Sequence, residues 1–243
     1  MSKRLKFFLT HLFVSAVIAC LALSVVFFIW YPSPLAKAVG VIHIFLMMLA
    51  IDVIVGPVLG FWVYKEGKKS LKFDLMVIIF IQLAAFVYGF YSIAQGRPAW
   101  IVYSVDRFQL VRKNNIVLQP SVKIKNEYQN ISWTGAKFVG VKLSKNKEQK
   151  QKDLFNAVFG LTLAQQPDRY VPFSQVQQDI QKNAQDLKLL NQFNNKQVVA
   201  NILTQYQTAN AWVPLKANAV DMVVLLNKNN GAVVKIVDLR PWK

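Results

Sequence analysis

The sequence predicts a membrane α-helical region of three transmembrane helices followed by an α+β domain. Three observations predict it. Phe7–Trp30, Ala38–Tyr64 and Phe73–Tyr91 are long apolar runs, and a bilayer-crossing helix needs about 20 such residues at roughly 1.5 Å each. Lysine and arginine cluster on alternate sides of these runs. From about Gln95 to Lys243 the chain becomes polar and basic, with short apolar patterns of both helical and strand period. The expected division is residues 1–94 as the membrane region and 95–243 as a separate domain, large enough to build its own core.

Composition narrows the chemistry. Of the 243 residues 54% are apolar, and they are concentrated at one end, which argues against most soluble-enzyme readings. The single cysteine, Cys20, lies in the first run, so the domain has no disulfide. Both histidines, His11 and His43, are in the membrane region, which argues against a zinc site in the domain. The net charge is +17, about +12 of it beyond residue 95. A basic balance points to nucleic acid, anionic lipid or acidic partners. Here the lysines are scattered, with clusters at Lys123–Lys125 and Lys142–Lys152. The second cluster reads either as a solvated loop and helix start or as a contact with lipid headgroups or a partner.

Lys3, Arg4 and Lys6 precede the first run, and Lys65, Lys68, Lys69 and Lys72 lie between the second and third. The first connection holds only Lys37. The positive-inside rule then puts the N-terminus and the 65–72 loop in the cytoplasm. Three spans leave the domain on the far side, the periplasm if the membrane is a bacterial inner membrane, which argues against nucleic acid as partner. A cleaved signal peptide ending near Ala22-Leu23-Ser24 is the alternative. The apolar run continues through Val25–Tyr31 and favours an anchor. The start also lacks the pilin pattern of glycine, phenylalanine and a glutamate four positions on.

Tyr31-Pro32-Ser33-Pro34 reads as a turn at the outer interface, with Trp30 and Tyr31 suited to the headgroup layer. Trp62, Tyr64, Tyr88 and Tyr91 mark the other boundaries. Ala94–Pro98 is the exit linker. Trp100–Val105 and Lys137–Leu143 read as strands, the latter by its alternation. A helix over about 148–160 carries Leu154, Phe155, Val158 and Phe159. A second starts after Pro172 with Ser174 as N-cap and Val176, Ile180 and Leu187 on one face. A third spans about 196–207. Ala211–Leu215, Val220–Leu226 and Ala232–Val237 read as strands, with Lys228-Asn229-Asn230-Gly231 turning between the last two.

Asp52 is the residue that points to function. It sits mid-span in Ala50-Ile51-Asp52-Val53-Ile54-Val55-Gly56-Pro57, where a carboxylate costs about 2.5–3.5 kcal/mol on insertion scales. Counted from the shared cytoplasmic edge, Gln82 lies at the same depth within about one turn, so an Asp52–Gln82 hydrogen bond is expected. Three roles stay open: a packing clamp, a contact to another protein's membrane helix, or proton transfer. No second mid-membrane acid exists to share a proton, which argues against catalysis. Gly56-Pro57 is expected to kink or locally open the helix and free a carbonyl. Gly56 and Gly60 form a small-xxx-small pair that permits close helix approach. His11 and His43 fall near opposite membrane faces and read as interfacial. Asp74, beside Lys72, is placed to help start the third helix. Asp106-Arg107 reads as an ion pair holding the domain near the membrane. No nucleophile–base set, phosphate loop or metal cluster is visible, so no catalytic residue, cofactor or metal is assigned.

In order along the chain, Tyr31-Pro32, Asp52 with Gly56-Pro57, Lys72 with Asp74, Gln82 with Tyr88-Gly89, Arg97-Pro98, Asp106-Arg107-Phe108 and the terminal Pro241-Trp242 form a set. This set resembles the type IV pilin accessory protein family (the TfpX/TfpZ type). It runs through residues 1–110, and little is recognised from Arg112 to about Val213. The resemblance implies an inner-membrane protein that helps a type IV major pilin reach assembly, with membrane lipids as its other neighbours. On that reading Asp52, Gly56, Pro57 and Gln82 contact the pilin helix, while Arg97, Pro98, Asp106 and Arg107 are structural. A membrane-anchored sensor or receptor domain and an envelope enzyme are the alternatives.

Overall fold

The computed structural model describes residues 1–118, 124–144 and 146–243. Lys123 and Lys145 of the two lysine clusters lie outside the described residues. Helix α1 (Lys3–Ser24) runs into a π-helical turn, Val25–Trp30, and is followed by a short helix α2 (Leu35–Val39). Gly40 ends α2 at φ 82°, a left-handed value that reverses the chain into α3 (Val41–Val63). Helix α4 (Leu71–Gln95) completes the membrane region. The three spans, Lys3–Trp30, Val41–Val63 and Leu71–Gln95, are each long and apolar enough to cross a bilayer. Asp74 lies in the first turn of α4, but its partner is Lys68 at 2.6 Å, with Ser70 donating at 3.0 Å.

The domain is a mixed sheet with helices on both faces. Its strands are β1 (Pro98–Ser104), β2 (Arg107–Arg112), β3 (Lys137–Val141), β4 (Tyr170–Val171), β5 (Gln185–Asp186), β6 (Ala211–Lys216), β7 (Met222–Asn227) and β8 (Ala232–Val237). The order is β4-β3-β1-β2-β6-β7-β8, with β5 pairing β6 beyond the end of β2. β1–β3 and β2–β6 are parallel and the other pairs antiparallel. Pro214 has no N–H to donate. It falls between the stretch of β6 paired with β5 and the stretch paired with β2, where no ladder bond is required on that edge. The short helices are α5 (Asn126–Gln129), α6 (Lys147–Val158), α7 (Gln177–Asn183) and α8 (Lys196–Gln205), the last capped by Asn195.

Strand alternation sends side chains to two cores. Ile101, Tyr103, Phe108, Leu110, Val213, Leu215 and Val224 pack on one face with Ile180 of α7 and with Leu35 and Ala38 of α2. Trp100, Val102, Val111 and Val139 pack on the other with Ala164 and Tyr170. Further along that second face, Trp212, Val223 and Leu225 lie under Val199 of α8. Residues from the connection between the first two spans therefore belong to the core of the domain. Ala219 and Val220 both donate backbone N–H groups to Ala38 O, at 2.9 and 3.2 Å, and Lys37 pairs with Asp238 at 2.6 Å.

Several sequence readings need correction. β2 was not foreseen; it returns from β1 through a turn in which Val105 takes φ 63°. Ser174 lies in a 3-10 turn, Phe173–Val176, and does not cap a helix; Leu187 lies past α7 and joins the core under α8. Trp30 and Tyr31, expected at the interface, are buried against protein: the Phe90 and Trp133 rings pack tilted on Trp30 and the Tyr31 hydroxyl donates to Ile93 O at 2.7 Å. Leu154, Phe155 and Val158 of α6, and Phe159 just past it, point outward.

Candidate functional site

A cavity of about 380 Å³ opens between α1, α3 and α4 at the depth of Asp52. His11 and Ser15 line it from α1, Leu49 and Asp52 from α3, and Ile79 and Gln82 from α4. Asp52 stands at the middle of α3 and Gln82 near the middle of α4. The expected Asp52–Gln82 bond exists, but not through the carboxyl. Gln82 Nε2 donates to the Asp52 main-chain oxygen at 2.7 Å and to Ser15 Oγ at 3.2 Å. Its Oε1 accepts from His11 Nε2 at 3.0 Å. One amide thus ties three helices together.

Glycine makes this possible. A Cβ on Gly56 would overlap the Gln82 amide, and one on Gly60 would meet Phe7 of α1 at 2.8 Å. The small-xxx-small pair admits α4 at one position and α1 at the other. Gly56 and Pro57 are buried behind this contact and do not line the cavity. Nor does Pro57 open the helix: α3 runs unbroken from Val41 to Val63 with the proline inside it. The proline removes the donor for the Val53 carbonyl, one residue from the carbonyl that Gln82 occupies.

Two polar atoms at the cavity are buried with no hydrogen-bond partner among the described residues: Asp52 Oδ2 and His11 Nδ1. With Nε2 donating to Gln82, His11 Nδ1 is a bare acceptor. His11 is thus part of the intramembrane cluster and not merely interfacial. Ser15 was missed in the sequence, and His11 was read there only as interfacial. Their four-residue spacing on α1, at the depth of Gln82, was the available signal.

At the membrane exit Arg97 is buried, donates to Ala94 O at 2.8 Å and lies over the Trp133 ring at 4.6 Å. Burial holds its guanidinium below the usual arginine range. Pro98 opens β1 directly after it. Asp106 and Arg107 do pair, at 2.8 and 3.1 Å, and the pair holds the Asp106 carboxyl below the usual carboxylate range. They sit at the other end of β1, however, where Arg107 lies over the Trp242 ring at 5.6 Å. Arg107 thus meets the C-terminal segment, whose Trp242 donates to Asp221 Oδ2 at 2.9 Å. Among the described residues no group of three or more His, Cys, Asp or Glu side chains is placed to hold a metal.

Fold and site together define a membrane-anchored protein with a polar-centred intramembrane cavity and an extramembrane α+β domain. The chain is 32% identical over 229 residues to a fimbrial assembly protein of serogroup I from Dichelobacter nodosus, spanning 90% of this chain and 89% of the relative. A serogroup E1 protein from the same organism is 32% identical over 230 residues with the same coverage. Another, from serogroups C1 and C2, is 39% identical over 111 residues, 44% of this chain and 84% of the relative. The family model described as fimbrial assembly protein FimB matches residues 1–40. No solved structure matches the chain. The chain belongs to the family of fimbrial assembly proteins, and the resemblance drawn from Tyr31-Pro32, Asp52 and Gly56-Pro57 is borne out at that level.

Proposed function

We propose that this protein serves pilus biogenesis by holding a type IV pilin subunit through the subunit's apolar membrane helix, and that it does so without catalysing a reaction. The observation that carries the reading is the Asp52 carboxyl, which lines a mid-membrane cavity with one oxygen unpartnered among the described residues. A packing clamp needs a partner, and Gln82 already fills that role through the Asp52 backbone. A buried carboxyl in lipid calls for a donor. A lipid headgroup does not reach the middle of α3, so the donor comes from another membrane-embedded helix. In this proposal Asp52 touches the pilin helix, Gln82 holds the cavity wall, and Gly56 with Pro57 lets Gln82 reach its backbone acceptor. The lysine asymmetry supports an inner-membrane placement with the N-terminus cytoplasmic, residues 1–94 as membrane region and 95–243 as periplasmic domain. Membership of a fimbrial assembly family supports the pilus link.

Photo-crosslinkers at Leu49 and Ile79, in intact cells making pili, are expected to capture the major pilin. Asp52→Asn keeps the shape and removes the charge; Asp52→Leu removes both. Both are expected to lose the pilin adduct while the protein still accumulates. Unchanged crosslinking and piliation in a well-expressed Leu variant would sink the reading. Deleting the gene is expected to lower surface pili while the pilin gene is still transcribed.

A further inference from the structure

Helix α6 is built inside out. Its inner face is polar: Asp153 pairs with Arg169 at 2.9 and 3.2 Å, and Gln149 donates to Asp153 at 2.8 Å. Both members of the ion pair are largely shielded from solvent. Its outer face is apolar: Leu154, Phe155, Val158 and Phe159 are 69%, 65%, 82% and 74% exposed. An amphipathic helix on a soluble domain ordinarily turns its apolar stripe to the core. Here a shielded ion pair sets the roll of the helix and points the stripe outward, so the exposure is built in. Clustered large apolar side chains on a surface mark an interaction site.

The surface has a second part. A cavity of about 390 Å³ separates α6 from the β1–β2 turn; Val105, Leu143, Leu154 and Leu163 make its apolar wall, and Lys150 and Asp153 are among the polar residues at its edge. Val105 is the only described non-glycine residue with positive φ, at 63°, and it is 60% exposed. A β-branched residue held there is strained, and such strain gathers at ligand contacts. Asn183 fixes this turn by donating to Val105 O at 3.1 Å. The result is an apolar ridge beside a hollow with an apolar wall and a polar edge, a shape that receives a protein segment.

Charge and position select the occupant. Lys142, Lys147, Lys150 and Lys152 surround the ridge, all exposed and none in an ion pair among the described residues; the exposed acid Glu148 lies among them, so the surface stays net positive. A second copy would bring the same lysines against these. The sheet separates this surface from α2: Leu163 and Ala164, just past α6, pack on the Trp100 face, whereas Leu35 and Ala38 pack on the Ile101 face. β1 leaves the end of α4 at Pro98 and reaches the Val105 turn seven residues on, about 23 Å at strand rise, so this surface stands a strand's length from the membrane exit. We propose that the outer face of α6, with the Val105 turn, docks a partner protein through an extramembrane segment that carries apolar side chains ringed by carboxylates.

The test uses the full-length protein in intact cells that make pili, with a photo-crosslinking residue at Phe155 or Val158 and a control at Val198 on α8. The expected result is an adduct with one protein from the first two positions and none from Val198, mapping by mass spectrometry to a segment rich in Asp or Glu. Lys147→Glu/Lys150→Glu/Lys152→Glu is expected to cut the adduct at least tenfold, and the corresponding triple Arg variant to keep it. Changing the mapped carboxylates of the partner to Lys is expected to restore the adduct of the triple Glu variant. No adduct, an adduct to lipid or to a second copy, or one indifferent to charge reversal would each overturn the proposal.

Discussion

A primary amide offers two N–H donors and one carbonyl acceptor, and Gln82 directs them at His11, Ser15 and the Asp52 backbone. These contacts exist only because residue 56 has no side chain. Gly56→Ala is expected to destabilise the membrane region by about 1–3 kcal/mol, the usual cost of overpacking. Gln82→Ala removes the atoms that the new methyl would strike. The double variant is therefore expected to be more stable than the sum of the single effects predicts, with a coupling of about 0.5–3 kcal/mol. Thermal melting in detergent of the four proteins checks this, and strict additivity would show that the amide does not sit on Gly56.

At the scale of elements, α2 and α6 behave differently from what their lengths suggest. Gly40 carries φ 82°, and a Cβ there would meet Ala219 of the domain at 2.8 Å. Gly40→Ala is expected to cost about 1–2 kcal/mol from backbone strain alone, whereas Lys37→Ala breaks an exposed pair and is expected to cost at most about 1 kcal/mol. Melting temperatures of the two variants separate these. Helix α6 is held by the Asp153–Arg169 pair. Burial raises the Asp153 carboxyl, but the bonds from Arg169 and Gln149 outweigh it and leave the group below its usual range. A carboxyl depressed in the folded state stabilises the fold above its unfolded pKa of about 3.9 and ceases to do so as pH falls through the folded value. Hydrogen exchange across 147–158, corrected for the intrinsic rate, is expected to rise below about pH 4. Arg169→Ala is expected to give the same release at neutral pH.

For the whole molecule, the shared core is the consequence that matters. Leu35 and Ala38, from between the first two spans, are buried in the face of the sheet that carries Ile101, Phe108 and Val213. A fragment beginning at residue 95 lacks both. Burying a leucine side chain contributes about 1.5–3 kcal/mol, so the fragment is expected to unfold at lower denaturant than the same residues in the full chain, followed through β1 and β6. Equal midpoints would show that α2 adds nothing. The proposed topology is tested by a reporter active only outside the cytoplasm, expected to be silent at Gly67 and active at Lys243.

The three spans, the strands β1, β3, β6, β7 and β8 and helix α8 were readable from period and length alone, because each carries a local pattern that needs no partner to be recognised. Asp52, Gln82 and Gly56 were singled out for the same reason, since a polar or side-chain-free position inside an apolar run stands out in one dimension. Which atoms meet was not readable. That Gln82 takes the backbone of Asp52 and leaves its carboxyl over a cavity, and that His11 and Ser15 join them, depends on the rotation of α1 against α3 and α4. That rotation is set by packing between residues some 70 positions apart in the chain, such as His11 and Gln82. β2 was hidden by the charged and polar residues Arg107, Gln109 and Arg112 that interrupt its pattern, and it forms because β1 and β6 supply hydrogen-bonding edges on both sides. Helix α6 and its four apolar residues were legible, but the direction they face was decided by one shielded ion pair to Arg169, sixteen residues on from Asp153. Local pattern determines where helices and strands form, and long-range pairing alone determines which of their faces become sites.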